Sequence, residues 1–447
     1  MLLGTRSGSL RRWTVAALGA AALIGMSGGC NRPSSDNIQL WKTTEKGPER
    51  LHDALADHGV QPRLRAEAAA ALVDIGRAEE VDTIMAQLSA DERAEIAKTL
   101  EPLYEIGMKD PSPERALTYR DALFSLRQGL NPDDQKRIDT ALLAEIEGEI
   151  RAGKLRQGRH SLDKMMTAIG PDAAAMLARV LAADVPYLQA AELLGKIGDD
   201  AARERGAAAL IARAPQLKDR AEEKQHPELF YKAIGALGGP TAAKFLMGKV
   251  TGANSAGGRS NEEAQLATRA LGERRDPTVL PFALKVAADP KADKTVRDEM
   301  FGVIETIGGL QAQKGLAEII SSDKEEIVRY RAFESMLAAG KADAIQAGLE
   351  AFPASATYKK VDVDDLLVKL IEKLGQPARP ALIKTLGSRA PLARMTAAMA
   401  LEQVGRAPDA PELEKLAGDS SPVKGFPAGD TVGKQATRAA DAAKKRS

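Results

Sequence analysis

The chain has 447 residues, of which 28% are charged and only 4% aromatic, and its formal net charge at pH 7 is +1. This balanced charge creates no long-range field for a polyanion, and few aromatic side chains are present to stack on bases, so nucleic-acid binding is not expected. A chain of this length usually divides into two or three domains, unless it is built from repeats that bury their apolar faces against their neighbours.

Residues 1–29 have the features of an export signal. Three arginines near the N-terminus precede the apolar run 15–26, which suits a signal peptide and is short for a membrane span. Small residues lead from this run to Cys30, the only cysteine of the chain. The ending Ser27-Gly28-Gly29-Cys30 resembles a bacterial lipoprotein cleavage site, at which the cysteine is lipidated and becomes the new N-terminus. An ordinary signal peptide or a free thiol at Cys30 is the alternative.

Lipidation of Cys30 predicts a protein anchored to the cell envelope without a transmembrane helix, because several acyl chains on one residue suffice for stable anchoring. Export by the general secretory route is favoured over the twin-arginine route, which Leu10 and Thr14 fit poorly. In enteric bacteria, an aspartate directly after the lipidated cysteine retains a lipoprotein at the inner membrane. This chain has Asn31 at that position, which favours the outer membrane, with the protein facing the periplasm. Residues 30–47 are polar, with Pro33 and Gly47, and are predicted to form a flexible tether.

Residues 48–416 repeat a helical segment that ends in glycine. In the segment 64–76, Leu64, Ala68 and Leu72 recur at helical spacing, and Gly76 stands where the helix would end. Similar segments end at ten later glycines, which are spaced like the units of a repeat protein. They are Gly107, Gly129, Gly170, Gly198, Gly238, Gly272, Gly308, Gly340, Gly375 and Gly405.

Three positions of the repeat are conspicuous. The residue immediately before the glycine and the residue four before it are apolar in most units, which predicts a buried stripe on each helix. An arginine occurs eleven residues before the glycine in five units. These arginines are interpreted as a structural ladder and not as an anion site; they are Arg65, Arg159, Arg297, Arg329 and Arg394.

The segment 328–340, with Asp323 ahead of it, carries the clearest resemblance to a known family. Its pattern resembles HEAT repeats, including the HEAT-like repeats of bilin lyase relatives. The resemblance implies an all-α fold, a right-handed α-solenoid of about ten helical hairpins. In that family an aspartate six residues before the arginine forms a ladder along the stack, and Asp323 has that spacing from Arg329, whereas Asp57 and Arg65 are offset by two residues.

Three segments depart from the repeat. Region 110–160 has altered spacing and is predicted to be irregular, with a tetratricopeptide-like helix pair as an alternative; a helix is predicted to start at Pro132. Residues 251–261 are rich in Gly, Ser and Asn, but they lack the flanking residues of a phosphate-binding loop and are interpreted as an inter-helix loop. Residues 417–447 lack periodicity and are predicted to be disordered.

The sequence offers no catalytic or metal-binding constellation. The histidines are scattered, and no second cysteine exists to complete a zinc set. We therefore expect no enzymatic activity, no metal and no cofactor. The four histidines are His52, His58, His160 and His226.

The favoured function is a protein-interaction scaffold that holds an unidentified protein or peptide of the cell envelope on the concave face of the solenoid. Polar residues on the second helices of the hairpins are the candidate contacts: Glu67, Asp74, Glu192, Lys196, Glu334 and Lys373. The alternative is a bilin-lyase-like enzyme or chaperone with a small-molecule pocket between helices, which the scarcity of aromatic residues disfavours.

Overall fold

The structure is a computed structural model that describes residues 32–217, 225–252 and 259–446. The predicted signal peptide 1–29, Cys30 and Asn31 lie outside the described residues, as does the centre of the Gly/Ser/Asn-rich segment.

The described residues form helices joined mostly by short connections, and no β-strand occurs in these ranges. A π-helical segment, Asp364–Val368, continues one of the helices, and short 3₁₀ turns precede several others. In chain order the α-helices are α1 (Ser35–Trp41), α2 (Gly47–Ala56), α3 (Pro62–Asp74), α4 (Ala78–Gln87), α5 (Ala90–Met108), α6 (Pro113–Leu126), α7 (Pro132–Arg151), α8 (Leu162–Ile169), α9 (Pro171–Ala182), α10 (Leu188–Ile197), α11 (Asp200–Ala212), α12 (Ala214–Leu217), α13 (Pro227–Leu237), α14 (Gly239–Gly252), α15 (Arg259–Gly272), α16 (Leu280–Ala287), α17 (Lys294–Ile307), α18 (Gly309–Ser322), α19 (Glu326–Gly340), α20 (Ile345–Glu350), α21 (Lys360–Val363), α22 (Lys369–Glu372), α23 (Arg379–Thr385), α24 (Pro391–Val404), α25 (Ala410–Glu414) and α26 (Val432–Lys444).

The described part of the chain divides into two compact units. Unit 1 contains residues 32–145 and 156–161, and unit 2 contains residues 146–155 together with the described residues from 162 onward. In unit 1, α2 packs against α3, α3 against α5, and α5 against α6.

Unit 2 consists of two rows of helices. Each helix of the first row packs on the next, in the order α8, α10, α13, α15, α17, α19, the helix 360–372 and α24; we name these the second-helix row. Helices α9, α11 and α14, followed by α16, α18, α20 and α23, form the opposite row, and most of them pair with the adjacent member of the second-helix row. Such neighbour-to-neighbour packing defines a solenoid. The predicted all-α solenoid of helical hairpins is therefore confirmed.

Several hairpin helices end at a glycine whose backbone conformation is unfavourable for other residues. Gly238, Gly308 and Gly375 have φ of 64° to 65°, a left-handed conformation that favours glycine at helix ends. Other glycines of the repeat do not need this conformation: Gly198 and Gly405 follow their helices with φ of −71° and −66°, and Gly107 lies inside α5.

The apolar stripe lies four residues before the glycine. Ile304, Met336 and Leu401 are at most 1% exposed at that position. The residue directly before the glycine is often half-buried, as at Ile307, and Ile106 is 70% exposed. The prediction of a buried stripe is correct for the first position and wrong, in several units, for the second.

The predicted tether 30–47 is wrong for its described part. Residues 35–41 form α1, which packs against α2 and α3. Ser34 caps this helix by accepting a hydrogen bond from the backbone N–H of Asn37, and Ile38 and Trp41 are almost fully buried. These two apolar side chains lie one helical turn apart, so they bury together against unit 1.

The predicted disorder of residues 417–447 is also wrong. α26 packs against α24 and α25 and extends the second-helix row by one helix. Its buried face consists mainly of small residues, Ala436, Ala439, Ala440 and Ala443, spaced at one helical turn. Alanine side chains allow close approach of helices. The alanines of this segment, whose composition suggested a disordered tail, therefore form a helix–helix interface.

Region 110–160 is helical for most of its length. It contains α6 and α7, and α7 begins at Pro132 as predicted. The loop 152–161 follows, and α8 begins only at Leu162. Arg159 therefore lies in this loop and not in the helical position that the glycine spacing assigned to it.

We tested whether any helix of the described ranges is long enough and apolar enough to span a membrane, and no single helix is. One pair of consecutive helices, Leu162–Ile169 and Pro171–Ala182, passes that test when taken together, but the pair is bent by 113°.

Candidate functional site

A groove lies on the second-helix row of unit 2, where α17, α19 and the helix 360–372 meet. Its volume is ≈ 560 Å³. We name it the second-helix groove. Apolar and charged side chains line it together: Phe301, Ile327, Val328, Tyr330, Leu366 and Leu370, with Lys294, Arg297, Asp298, Glu325, Arg331, Glu334, Asp365 and Lys373.

The apolar part of the groove reaches solvent mainly through Ile327. This side chain is 58% exposed at the start of α19, whereas its neighbour Val328 is buried. Leu366 and Leu370, from the helix 360–372, are partly exposed in the same groove. Large apolar side chains that line a shared concavity and are surrounded by charge are typical of interaction sites.

A backbone irregularity forms part of the groove wall. The backbone N–H of Lys369 donates to the carbonyl of Asp364, five residues earlier, and the segment Asp364–Val368 is a π-helix. This segment brings Asp365 and Leu366 to the groove. π-helical segments are rare and occur frequently at functional sites.

Some charged groups of the groove are already paired. Arg331 Nη1 donates to Glu305 Oε1 and to Glu334 Oε2, both at 2.9 Å, and Lys369 pairs with Asp365. Lys294, Asp298 and Lys373 make no side-chain hydrogen bond or ion pair within the described ranges, so the groove retains two ammonium groups and one carboxylate for a partner.

Buried arginines connect successive repeats beneath this surface. Arg297 Nη2 donates to Asp323 Oδ2 at 3.2 Å, Nη1 donates to Glu325 Oε1 at 3.2 Å, and Nε donates to the carbonyl of Ala287. The side chains of Arg297 and Asp323 are 7% and 10% exposed. Arg297 therefore pairs with an aspartate 26 residues later in the chain, from the next hairpin.

Arg394 repeats this arrangement 25 residues from its partner. Its Nε donates to Asp419 Oδ2 at 2.8 Å, and its Nη1 donates to the carbonyl of Ser388 at 2.7 Å. Burial alone raises the pKa of Asp419, but hydrogen bonds from Ser421 and Arg394 outweigh it and hold the pKa below its usual value. The carboxylate therefore stays ionised opposite Arg394.

The other predicted ladder residues have different partners. Arg329 Nη1 donates to the backbone carbonyl of Asp323 at 2.9 Å, because the carboxylate of Asp323 faces Arg297 instead. In unit 1, Arg65 donates to the carbonyl of Leu55 and to Glu92 Oε1. The carboxylate of Asp57 accepts from Gly59. Arg159, in the loop 152–161, pairs with Asp82 at 2.6 Å.

The six predicted contact residues do not form one site. Glu334 and Lys373 lie in the second-helix groove. Glu192 pairs with Lys232 at 2.7 Å and Lys196 with Asp163 at 2.8 Å, and both pairs link neighbouring helices of the second-helix row.

The two candidates in unit 1 are engaged in local contacts. Glu67 pairs with Arg63 one helical turn away. Asp74 pairs with Lys42 at 2.6 Å and Arg115 at 2.7 Å and accepts from the Tyr119 hydroxyl. Burial raises the pKa of Asp74, but these hydrogen bonds outweigh it and lower the pKa overall. Asp74 is therefore an ionised anchor between helices.

Sequence reasoning missed the apolar half of the groove. It selected only polar residues on the second helices, so Ile327, Leu366 and Leu370 were not considered. The sequence signal available was a pair of apolar residues, Ile327 and Tyr330, three positions apart and therefore on the same side of α19.

No group of three or more His, Cys, Asp or Glu side chains suited to holding a metal ion occurs in the described ranges. The four histidines have different neighbours: His52 contacts Asp53 at 3.5 Å, His58 contacts Glu92 at 2.5 Å, His160 contacts Ser125 at 2.9 Å, and His226 contacts Glu228 at 3.1 Å.

No protein-family model matches the chain, and no curated protein matches it. Among solved structures, the RNA-binding domain of yeast Puf5p bound to SMX2 RNA is 10% identical and covers 82% of this chain and 96% of its own, with a TM-score of 0.35. Kap121p bound to Nup53p is 14% identical, covering 88% of this chain and 41% of its own, with a TM-score of 0.34. Importin beta is 10% identical, covering 93% of this chain and 64% of its own, with a TM-score of 0.31. At these TM-scores the likenesses carry no argument, and the fold assignment rests on the helix packing of the chain itself.

Proposed function

We propose that the protein is a non-catalytic scaffold of the bacterial cell envelope, anchored by a lipid on Cys30, that binds a protein partner in the second-helix groove. The observation that carries this proposal is the exposed Ile327 on the groove surface, with Leu366 and Leu370 in the same groove. Binding energy at protein interfaces is concentrated in a few apolar anchors surrounded by polar contacts. The groove has that composition.

The charges of the groove favour a peptide over a nucleic acid. Four basic and four acidic side chains line it. A surface that binds a phosphate backbone needs a net excess of lysine and arginine. The balanced charge instead suits a peptide segment with an apolar side chain for Ile327 and charged residues of both signs beside it. No contact among the described residues favours the bilin-lyase-like alternative.

The groove is tested by the variant Ile327→Asp. A peptide selected from a display library on the immobilised protein is expected to bind the wild type, and Ile327→Asp is expected to weaken it by about 2 kcal/mol, roughly thirtyfold in Kd, because a charge replaces the apolar anchor. Fluorescence anisotropy of the labelled peptide gives both dissociation constants.

Leu310→Asp is the matched control. Leu310 is 65% exposed on α18, in the opposite row of helices, so the same chemical change there should leave peptide affinity unchanged. Equal affinity of the selected peptide for the wild type and for Ile327→Asp would show that the groove is not the binding site.

The lipid anchor is tested at Cys30 itself. We expect the mature wild-type protein to be recovered in the membrane fraction with a diacylated or triacylated N-terminal peptide by mass spectrometry. Cys30→Ser is expected to abolish the acylation, since no thiol remains for it, and Asn31→Gln to preserve it. An unmodified residue 30 in the membrane-bound wild type would refute the anchor and leave the groove proposal intact.

We expect Asn31 to decide whether the lipid-anchored protein is found in the inner or the outer membrane. Under the sorting rule of enteric lipoproteins, Asn31→Asp is expected to move the protein from the outer to the inner membrane fraction.

A further inference from the structure

The helix α1 joins unit 1 almost directly to Cys30, the residue that carries the proposed lipid. The chain before this helix is held in place from Arg32 onward, because the side-chain amide of Asn37 donates to the carbonyl of Arg32 at 2.8 Å. Directly after the helix, Lys42 pairs with Asp74 of α3 at 2.6 Å. Arg32 and α1 are therefore fixed to the packed part of unit 1.

The connection to the lipid is too short to act as a tether. Only Asn31 separates Arg32 from Cys30. Two residues of extended chain span at most about 7 Å between Cα atoms. The headgroup region of one leaflet is about 5–8 Å deep. Once acyl chains on Cys30 enter a leaflet, Arg32 must lie at its headgroups, and unit 1 must stay beside the membrane as long as α1 remains packed.

The side of α1 that holds Arg32 is also its exposed apolar side. Asn37 and Leu40 are three residues apart, and residues at this spacing are neighbours on the surface of a helix. Leu40 is 52% exposed, whereas Ile38 and Trp41 are at most 2% exposed. The hydrogen bond from Asn37 therefore places the carbonyl of Arg32, and the chain that leads to the lipid, on the side of α1 where Leu40 reaches solvent.

We propose that this side of α1, formed by Arg32, Asp36, Asn37 and Leu40, lies directly on the phospholipid leaflet with Leu40 among the lipids. We name it the α1 face. The inference rests on the proposed lipid at Cys30 and does not depend on the second-helix groove. One leucine binds a membrane only weakly by itself, but the anchor keeps it beside the leaflet at a high effective concentration.

The charges of the α1 face match zwitterionic headgroups. Arg32 and Asp36 are both exposed and carry opposite charges. Phosphatidylethanolamine offers a phosphate to the guanidinium of Arg32 and an ammonium group to the carboxylate of Asp36. Selection of anionic lipids requires a cluster of basic residues, which this face lacks. We therefore expect the contact to persist when phosphatidylglycerol is left out of the membrane.

The lipidated variant Leu40→Cys tests the contact. Acylation occupies Cys30, so residue 40 carries the only free thiol, and a nitroxide is attached there. The protein is reconstituted into vesicles of phosphatidylethanolamine and phosphatidylglycerol. Electron paramagnetic resonance compares collisions of the nitroxide with oxygen, which concentrates in lipid, and with a nickel chelate, which stays in water. We expect the nitroxide to lose most of its collisions with the chelate.

The matched control is Cys30→Ser/Leu40→Cys, produced from residue 30 onward. It carries the same label and has no acyl chains, so in the same vesicles the nitroxide should collide with the chelate as it does in solution.

A flexible Gly/Ser insertion of about 20 residues between Asn31 and Arg32 separates the short connection from the lipid itself, since such a linker spans roughly 25 Å. The insertion should restore the collisions with the chelate. Trp41 gives a second reading, because Trp13 lies in the predicted signal peptide and Trp41 is then the single tryptophan of the mature chain. Energy transfer from Trp41 to dansyl-labelled headgroups should be strong without the insertion and fall with it.

Mass spectrometry of the N-terminal peptide is applied first to each sample. An unacylated residue 30 would refute the anchor on which the inference rests. In acylated protein, a nitroxide at residue 40 as accessible to the chelate as in the control would overturn the inference and leave the α1 face to water or to another partner. Unchanged collisions after the insertion would also overturn it, because the short connection would not be what holds this face on the leaflet.

Discussion

Replacing Leu401 with aspartate is expected to unfold the C-terminal hairpins of unit 2 and to leave its first hairpins folded. Leu401 is fully buried in α24, between the helix 360–372 and α26. An unpaired carboxylate there should cost more than about 4 kcal/mol, among the largest effects of a single substitution. Because each helix of a solenoid packs on its neighbours, the loss should remain local.

Hydrogen exchange followed by mass spectrometry measures this pattern. Peptides from α22 to α26 should lose protection, and peptides from α8 to α13 should keep it. Leu310→Asp provides the control, since the same change at an exposed site should alter stability by less than about 0.5 kcal/mol. Uniform loss of protection across unit 2 would contradict the neighbour-to-neighbour picture.

Replacing Arg297 with alanine is expected to destabilise unit 2 by about 3–5 kcal/mol, because removing one partner of a buried ion pair leaves the other buried and unpaired. The unpaired group is Asp323, whose side chain is 10% exposed. Urea denaturation should show a lower midpoint, and exchange should accelerate first in α17 and α19.

The double variant Arg297→Met/Asp323→Leu tests the cause. Replacing both charges with apolar side chains of similar size should recover much of the lost stability, since no charge remains buried. Arg331→Ala, which removes a less buried arginine of the groove, should cost at most about 1 kcal/mol. A double variant as unstable as Arg297→Ala would indicate that packing of the arginine stem, and not the ion pair, holds these hairpins together.

The sequence predicts the interior of the array well, because the repeat imposes local rules that tertiary packing reinforces. Gly308 and Gly375 follow helix ends with positive φ, and Ile304 and Met336 are buried four residues before their glycines. The position directly before the glycine was less predictable, because it lies at the last turn of the helix, where burial depends on the following connection.

The helices α1 and α26 were not predicted, because neither follows the glycine-ended pattern of the repeat. α1 carries only two large buried residues, Ile38 and Trp41, within a polar segment. α26 does carry apolar residues at helical spacing, from Val432 to Ala443, but most of them are alanines, and the interpretation as a disordered tail overlooked this pattern.

The sequence predicted some of the charged residues of the second-helix groove but none of its apolar ones. Glu334 and Lys373 were selected as polar residues of second helices, and both line it. The π-helical segment that brings Leu366 to the groove has no recognised sequence signature. The ion pairs that occupy Glu192 and Lys196 depend on contacts between helices more than 30 residues apart, so a single sequence could not reveal them.

The helix α26 also determines how this end of unit 2 meets other molecules. Its outer side presents Lys434, Arg438, Asp441 and Lys444 to solvent, while its alanines cover α24. Without α26, the apolar side of α24 would be exposed to solvent. A second copy of the chain could then bind there, as in the growth of open-ended fibres. The charged exterior of α26 makes such polymerisation unfavourable at this end.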